Sequence, residues 1–575
     1  MGKITVARYI YKYLVKRNIK NVFGYSGGAV LPLLNEFYNS DNINFIKNSN
    51  EQCSGYVAEG YSKSLNLSQP GVVISTSGPG VTNLITPLQN AYNDGTPMLA
   101  ITAQVPIHSI GTDAFQECNS TKLTLHCTKW NRLLTNPFNI HELLDIAYNT
   151  SMNSRKGPVH LDIPKNILSI KVDDRILMKN YDKEKEMGFN LLNRIDVCSM
   201  LLEQSQKPLI IAGQGCNISD GFLTKVSEKF NIPVTTTLHG MGSMDERHPL
   251  CLDMLGMHGH PNSNMSVQES DLIIGIGTRF DDRTVGDIVN YAPNSQNIIH
   301  VDNSLEKCNK VRNLFSNTTK TVTTIESDSK NFLKSLHRLN LDKKSDWIKN
   351  DKKYYYNETG KLKGPDVIKS INKTIDLLKI DREKTFFTTG VGNHQMWTAQ
   401  HITWTHPGKI ITSGSLGTMG VGVPFAIGSK IANKDHTVIC IDGDGSFCMT
   451  CNELLTLKEN DIPIKIFILN DSRQQMVHVW QKLFHNERYI GTDNINPDFR
   501  LLAEAYDIVS LDCYTKRDLD KCVENILSYD KCAIGIFHIE PEMCYPLVSP
   551  GSSLDNMIEN ENDLENIDIY QPIPN

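Results

Sequence analysis

Val438-Ile439-Cys440-Ile441-Asp442-Gly443-Asp444-Gly445-Ser446 decides the reading of this chain. Val438 to Ile441 is apolar and mostly β-branched, which predicts a short buried strand, and the Gly-Asp run after it predicts a loop. A helix is expected over Asn452 to Asn460, ended by Pro463. Ile464-Lys465-Ile466-Phe467-Ile468-Leu469 reads as a second strand closing at Asn470-Asp471. The segment is one βαβ unit with a right-handed crossover expected. Both strands then end on the carboxyl edge of a parallel sheet, where open α/β sheets bind ligands. That puts Asp444 and Asp471 side by side. Gly443 and Gly445 let backbone N–H groups approach a ligand, and a following helix N-terminus favours an anion. Mg²⁺ is held by one or two carboxylates plus substrate phosphates. The unit therefore reads as a magnesium-diphosphate clamp, against the plainer reading of a turn and a helix cap.

The rest of the chain repeats this grammar. Val72-Val73-Ile74-Ser75 runs into Thr76-Ser77-Gly78-Pro79-Gly80, and Val159-His160-Leu161-Asp162 ends at Ile163-Pro164-Lys165. Leu209-Ile210-Ile211-Ala212 runs into Gly213-Gln214-Gly215, and Leu272 to Ile276 into Gly277-Thr278-Arg279. Short buried strands alternating with helical stretches predict an α/β fold with three doubly wound parallel-sheet domains. The expected spans are 1–175, 190–340 and 365–550. A charged stretch over 340–365 reads as a solvated helix and linker, and 551–575 as an acidic, mobile tail. The chain has 575 residues, 58 Lys+Arg against 64 Asp+Glu, and a net charge of −6, which argues against nucleic-acid binding. No apolar run approaches the length needed to span a bilayer. The 14 cysteines include one close pair, Cys448 and Cys451, without the partners a zinc site needs. They read as reduced thiols in a reducing compartment. Val6, Ile10, Tyr13 and Leu14 recur at helical spacing, so the basic N-terminus reads as a folded helix rather than a transit peptide. Location is expected to be cytoplasmic or otherwise intracellular.

Gly443-Asp444-Gly445 with Asn470-Asp471 resembles the thiamine-diphosphate binding motif. Gly390 to Trp397, Gly417-Thr418-Met419-Gly420, and Met476-Val477 with Trp480 and Phe484 resemble the acetohydroxyacid synthase large subunit family. So do Phe23 to Ala29, Ile110 to Glu117, Cys127 to Trp130, Leu252 to Gly259 and Arg279-Phe280-Asp281-Asp282-Arg283. The resemblance runs from about residue 4 to 550. It implies a pyrimidine-binding N-terminal domain, an FAD-type middle domain and a diphosphate-binding C-terminal domain. It also implies a reaction in which pyruvate loses CO2 and the remaining two-carbon unit joins a second 2-keto acid. The product is 2-acetolactate from pyruvate or 2-aceto-2-hydroxybutyrate from 2-ketobutyrate, in branched-chain amino-acid biosynthesis. Glu51 matches the glutamate that activates the cofactor. Met419 matches the side chain that wedges its two rings apart. Gln116, Phe115 and Lys165 match residues near the substrate, and Trp480 one that selects the second substrate. Gly28, Asn393, His394, Gly417, Gly443, Gly445, Ser446 and Met476 match thiamine-diphosphate contacts, with Asp444 and Asp471 on Mg²⁺. Arg155, His258, Gly277, Arg279 and Asp302 fall in FAD-lining stretches; FAD would be structural, because the reaction has no net redox change. In the family the site lies between subunits, so a homodimer or homotetramer is implied, with a small regulatory subunit as a further partner.

Five positions depart from the family pattern. Asp471 replaces Asn, Ser26 replaces Pro, Asn393 replaces Gln, Asn50 replaces His, and Gln475 replaces Gly. They leave open a thiamine-diphosphate-dependent decarboxylase or carboligase with a shifted acceptor. A non-catalytic thiamine-diphosphate-binding protein is disfavoured by the joint presence of Glu51, Gln116 and Met419.

Overall fold

A computed structural model describes residues 2–174, 192–341, 345, 347, 360–560 and 563. The charged residues expected to form the 340–365 linker, Lys343 to Lys353, lie outside the described residues.

Each domain is built on a six-stranded parallel sheet. The N-terminal sheet comprises β1 (Asn21–Gly24), β2 (Asn44–Lys47), β3 (Gly71–Ser75), β4 (Met98–Gln104), β5 (Trp130–Leu133) and β6 (Pro158–Pro164). The middle sheet comprises β7 (Pro208–Ala212), β8 (Val234–Thr236), β9 (Cys251–Met254), β10 (Leu272–Ile276), β11 (Asn297–Asp302) and β12 (Thr321–Glu326). The C-terminal sheet comprises β13 (Thr385–Thr389), β14 (Ile410–Ile411), β15 (Thr437–Gly443), β16 (Lys465–Asn470), β17 (Val509–Cys513) and β18 (Ala533–His538). The helices that bear on the site are α1 (Val6–Lys16), α2 (Glu51–Ser64), α3 (Ile85–Asp94), α4 (Asn393–His401), α5 (Gly422–Ala432), α6 (Asp444–Cys448) and α7 (Gln475–Phe484). None of the described helices is long and apolar enough to cross a membrane.

Strand order separates the domains. The N-terminal sheet runs β2-β1-β3-β4-β6-β5 and the C-terminal sheet β14-β13-β15-β16-β18-β17, the same pattern in each domain's own numbering. The middle sheet runs β9-β8-β7-β10-β11-β12, the order that binds dinucleotides at its switch point. Central strands are buried on both faces because helices cover both sides: β3, β4, β7 and β10 have no exposed or half-exposed residue.

The N- and C-terminal domains meet along α2 and α5. A Cβ on Gly60 would fall 2.5 Å from the Phe425 backbone, and one on Gly428 2.1 Å from the Val57 carbonyl oxygen. Only glycine lets the two helices approach this closely. Successive contacts descend along one helix as they climb the other, so the pair is antiparallel.

Two expectations change. The loop expected after Ile441 is already helical from Asp444, where α6 begins, while the helix expected over Asn452 to Asn460 is present as a 3-10 turn over Cys451–Glu453 running into a helix over Leu454–Glu459. Thr450 is pulled out of helical geometry, with its hydroxyl donating to the Gly420 carbonyl at 2.7 Å. The start of the expected mobile tail is packed. Met557–Ile558 pairs antiparallel with Leu547–Val548, Leu554 is 1% exposed, and Gln268 donates to Ser553 and Asp555. The apolar Leu554 and Ile558 tie this segment to the fold despite its acidic surroundings.

Candidate active site

β15 and β16 are neighbours, with Gly443 beside Leu469, so their ends present Asp444 and Asp471 together. Asp444 is the first residue of α6 and 2% exposed. Asn496 bridges this edge: its Nδ2 donates to Asp444 Oδ2 at 2.5 Å and to Asn470 Oδ1 at 2.9 Å. Asp471 Oδ1 accepts from the Arg473 backbone N–H at 3.1 Å. Burial, then the neighbouring Asp444 charge, pushes Asp471 up to about 7. Burial also raises Asp444. A buried and a half-buried carboxyl side by side suit a divalent cation, whose charge would offset both effects. The described residues contain no group of three or more His, Cys, Asp or Glu able to hold a metal, so phosphate oxygens would have to complete the shell.

The surrounding loop is cut to size for a ligand. A Cβ on Gly443 would lie 2.8 Å from His394 Nδ1, and one on Gly390 2.1 Å from both Asp442 Oδ1 and Ser446 Oγ. Ser446 Oγ accepts from the Gly420 N–H at 2.9 Å, which ties the Met419 loop to α6. Met419 Cε lies 3.9 Å from the position of a Cβ on Gly445. Gly417 sits at φ 72° in open space. Asn393 and His394 open α4; Asn393 Nδ2 donates to the Glu542 carbonyl at 2.9 Å. Met476 and Trp480 lie on α7, where Trp480 packs on Phe484 at 5.2 Å between ring centroids. Gln475 opens α7, and its Oε1 is buried without a hydrogen-bond partner among the described residues.

The carboxyl edge of the N-terminal sheet is a second cluster. Glu51 is the first residue of α2, 7% exposed, and Asn50 caps the helix by accepting from Cys53 N–H at 2.8 Å. Asn83 Nδ2 donates to Glu51 Oε2 at 2.9 Å. A Cβ on Gly80 would lie 3.4 Å from Glu51 Oε1, and one on Gly78 3.0 Å from Gln116 Cα, so Gln116 borders the Glu51 pocket. Gly28 is exposed with open space beside it. Phe115 is 90% exposed and Lys165 is also exposed, so within this chain the structure leaves both in solvent.

Asp162 was not anticipated. It accepts from Thr102 Oγ1 at 2.6 Å, from Gln104 Nε2 at 3.0 Å and from Ser120 Oγ, and Gln104 also donates to the Cys118 carbonyl at 2.9 Å. It anchors the loop that follows Gln116. The available signal was His160 and Asp162 at i, i+2, two polar residues on one face of an otherwise apolar buried strand. Asn83 and Asn496 carried no signal, because their roles depend on distant partners.

The middle-domain residues form a third cluster. Arg155 and Arg279 both donate to the Asn93 carbonyl, Arg279 at 2.7 Å. Burial and the adjacent Arg279 charge lower Arg155. Asp302 ends β11, and burial pushes it up to about 6. Gly277 follows β10 at φ 60°, and a Cβ there would lie 2.6 Å from Gly215 Cα. Paired half-buried guanidiniums beside a glycine turn, on a sheet of dinucleotide-binding order, fit an anionic dinucleotide. His258 Nδ1 pairs with the Pro546 carbonyl at 3.0 Å.

Within one chain the first two clusters are separate. Glu51 lies nine residues before Gly60 on α2, and Gly422 three before Phe425 on α5. With Gly60 against Phe425 in an antiparallel pair, Glu51 and Gly422 stand about 18 Å apart along the helix axes at 1.5 Å per residue.

Sheet order and these clusters define a thiamine pyrophosphate enzyme. The family models agree: the N-terminal TPP binding domain matches residues 4–123, the central domain 195–336 and the C-terminal TPP binding domain 390–534. The chain is 37% identical to the mitochondrial acetolactate synthase catalytic subunit of Saccharomyces cerevisiae, covering 98% of this chain and 85% of that one. It is 35% identical to the acetolactate synthase isozyme 2 large subunit of Escherichia coli, covering 96% and 99%. It is also 35% identical to a probable acetolactate synthase large subunit of Methanococcus aeolicus, covering 96% and 95%. The chain belongs to the acetolactate synthase family.

Proposed function

We propose that this chain is a thiamine-diphosphate-dependent acetolactate synthase. It joins two 2-keto acids with loss of CO2, giving 2-acetolactate from pyruvate or 2-aceto-2-hydroxybutyrate from pyruvate and 2-ketobutyrate. The observation that carries this reading is the buried Asp444 with the half-buried Asp471 beside Met419 at one sheet edge, and the buried Glu51 at the matching edge of a second sheet. When bound, thiamine diphosphate would supply the carbon nucleophile that the condensation of keto acids needs. The chain supplies the rest. Asp444 and Asp471 hold Mg²⁺ against the diphosphate. Gly443, Gly445 and the start of α6 admit its oxygens, aided by Asn393, His394 and Ser446. Gly28 leaves room for the pyrimidine, Glu51 would hold a proton at its far ring nitrogen, and Met419 would wedge between the rings. Gly417 and Met476 flank the cofactor. Gln116, Phe115 and Lys165 would face the substrate, and Trp480 would select the acceptor. Arg155, Arg279, Gly277 and Asp302 line a site for FAD, which serves a structural role, with His258 behind them at the seam with Pro546.

The 18 Å offset of Glu51 from the Gly422 end of α5 supports a site shared between two copies. Glu51 of one chain would meet Asp444 of the other in a homodimer or a larger homo-oligomer. The relatives' designation as catalytic or large subunits supports a smaller regulatory partner.

The test is incubation of the purified protein with pyruvate, Mg²⁺, thiamine diphosphate and FAD, reading acetolactate after acid conversion to acetoin. Acetoin that disappears when either thiamine diphosphate or the metal is left out is the expected result. Acetaldehyde as the sole product would replace the condensing reaction by simple decarboxylation.

A further inference from the structure

The far end of α2 and the last turns of α3 grip a loop of another domain. Asn90 on α3 is fully buried, and its Nδ2 donates to both oxygens of Glu59 at 2.9 and 2.8 Å. That contact turns Asn90 Oδ1 toward residues 412–418. There it accepts from Ser413 Oγ at 2.6 Å and Thr418 Oγ1 at 2.9 Å. The Thr418 N–H closes the loop on Ser413 Oγ at 3.0 Å. Lys63, 7% exposed, sits behind. Its Nζ lies 2.9 Å from Glu59 Oε1, and it donates to Asp94 Oδ2 at 2.8 Å and to the Thr412 carbonyl at 2.7 Å. The Gly414 N–H points at Asp94 Oδ2 at 3.3 Å, and Arg279 donates to Ser415 Oγ at 2.6 Å. The residue after Thr418 is Met419.

A buried ion cluster is a poor source of stability, because desolvation offsets the attraction. This one is better accounted for by where its bonds end. Asn90, Lys63 and Asp94 all terminate on one loop, and that loop is flanked by glycines at positive φ, Gly417 and Gly420, which give it little rigidity of its own. We propose that Asn90, backed by Glu59, Lys63 and Asp94, is a positioning element that fixes the Met419 loop through the Ser413 and Thr418 hydroxyls. This rests on the reading of Met419 as the wedge between the cofactor rings. Each N-terminal domain then serves two sites: Glu51 at the start of α2 completes one, and Lys63 near its end steadies the wedge of the other. Asp444 and Asp471 make no bond to Asn90, Lys63 or Asp94; the clamp meets the other side of the loop through Ser446, which accepts from the Gly420 N–H.

The experiment compares Thr418→Val, which keeps the shape and loses the hydroxyl, with Thr418→Ser, which keeps the hydroxyl. Thr418→Val is expected to lower kcat by about tenfold, the effect of one buried hydrogen bond. KM for pyruvate and Kd for Mg-thiamine diphosphate should change by less than about threefold, under ~0.7 kcal/mol. Thr418→Ser should restore kcat to within about twofold of the parent. A second readout needs no turnover. Leu416 is 39% exposed, so chymotrypsin should cut the loop faster in the cofactor-free Thr418→Val protein than in the parent or Thr418→Ser. Parental kcat and parental protection in Thr418→Val would overturn the proposal. If the parent forms no acetolactate, the functional reading falls, and the proteolysis comparison still decides this one.

Discussion

The N- and C-terminal sheets share one strand order and differ in chemistry. In each, the third strand of the domain lies in the middle of the sheet and feeds a helix. After β3 the turn Thr76-Ser77-Gly78 enters a short helix at Pro79; β15 ends at Gly443 and passes straight into α6 at Asp444. The fourth strand ends at Gln104 in one domain and at Asn470-Asp471 in the other. The C-terminal edge therefore gathers two carboxylates for a cation. The N-terminal edge gathers hydroxyls and glycines around Glu51, which starts the helix after β2. The same frame builds both halves of a site, and only the residues at the strand ends assign the roles.

The division of labour can be broken by mixing variants. Glu51→Gln and Asp444→Ala should each lower acetolactate formation by a hundredfold or more, the order of one lost acid–base or metal contact. Coexpressed, they should recover up to about a quarter of parental activity, because half of randomly paired dimers carry one intact site. No recovery would place Glu51 and Asp444 of one chain in one site.

The seam itself can be tested at Gly428. A Cβ there meets the Val57 carbonyl at 2.1 Å, so Gly428→Ala should destabilise the protein by about 1–3 kcal/mol, read by denaturant titration. Parental stability would mean that α2 and α5 are not locked together.

A smaller effect is expected at Asp471→Asn. Either side chain offers an oxygen, so the Mg²⁺ activation constant should change by less than about tenfold, whereas Asp444→Asn should change it more. Equal effects would remove the asymmetry between the two positions.

The middle domain sharpens the contrast through pH. Burial holds His258 and His300 neutral, each lowered to about 4. Their unfolded value is near 6.5. Between pH 6.5 and 4 the unfolded chain therefore binds the extra protons, and stability falls as pH falls. The Tm should drop over that range, and His300→Gln should flatten the slope. An unchanged slope would remove His300 from the acid response.

Much of this was legible along the chain. The strand expected over Val438 to Ile441 is the centre of β15, and that over Ile464 to Leu469 differs from β16 by one residue at each end. Buried parallel strands read clearly because both faces must be apolar. The Gly-Asp-Gly run was legible because its βαβ context places it at the carboxyl edge of a parallel sheet, where such sheets bind ligands. The helical turn of α6 was not, because glycines on both sides of Asp444 read as loop, whereas the helix expected over Asn452 to Asn460 lies within one or two residues of the observed one. The ordered start of the tail was missed for a similar reason: acidic composition outweighed two apolar side chains that find a pocket.

The sequence by itself determined three parallel α/β domains, the βαβ clamp and the acid at the start of α2, since these follow from local periodicity and from residues adjacent in the chain. Only the tertiary structure decided that the outer sheets share a strand order that the middle sheet lacks. It alone set Glu51 some 18 Å along the helices from the Gly422 end of α5, and turned Asn90 and Lys63 toward the Met419 loop. These depend on how helices cross and how closely glycines let them approach, and neither is written in any one stretch of chain.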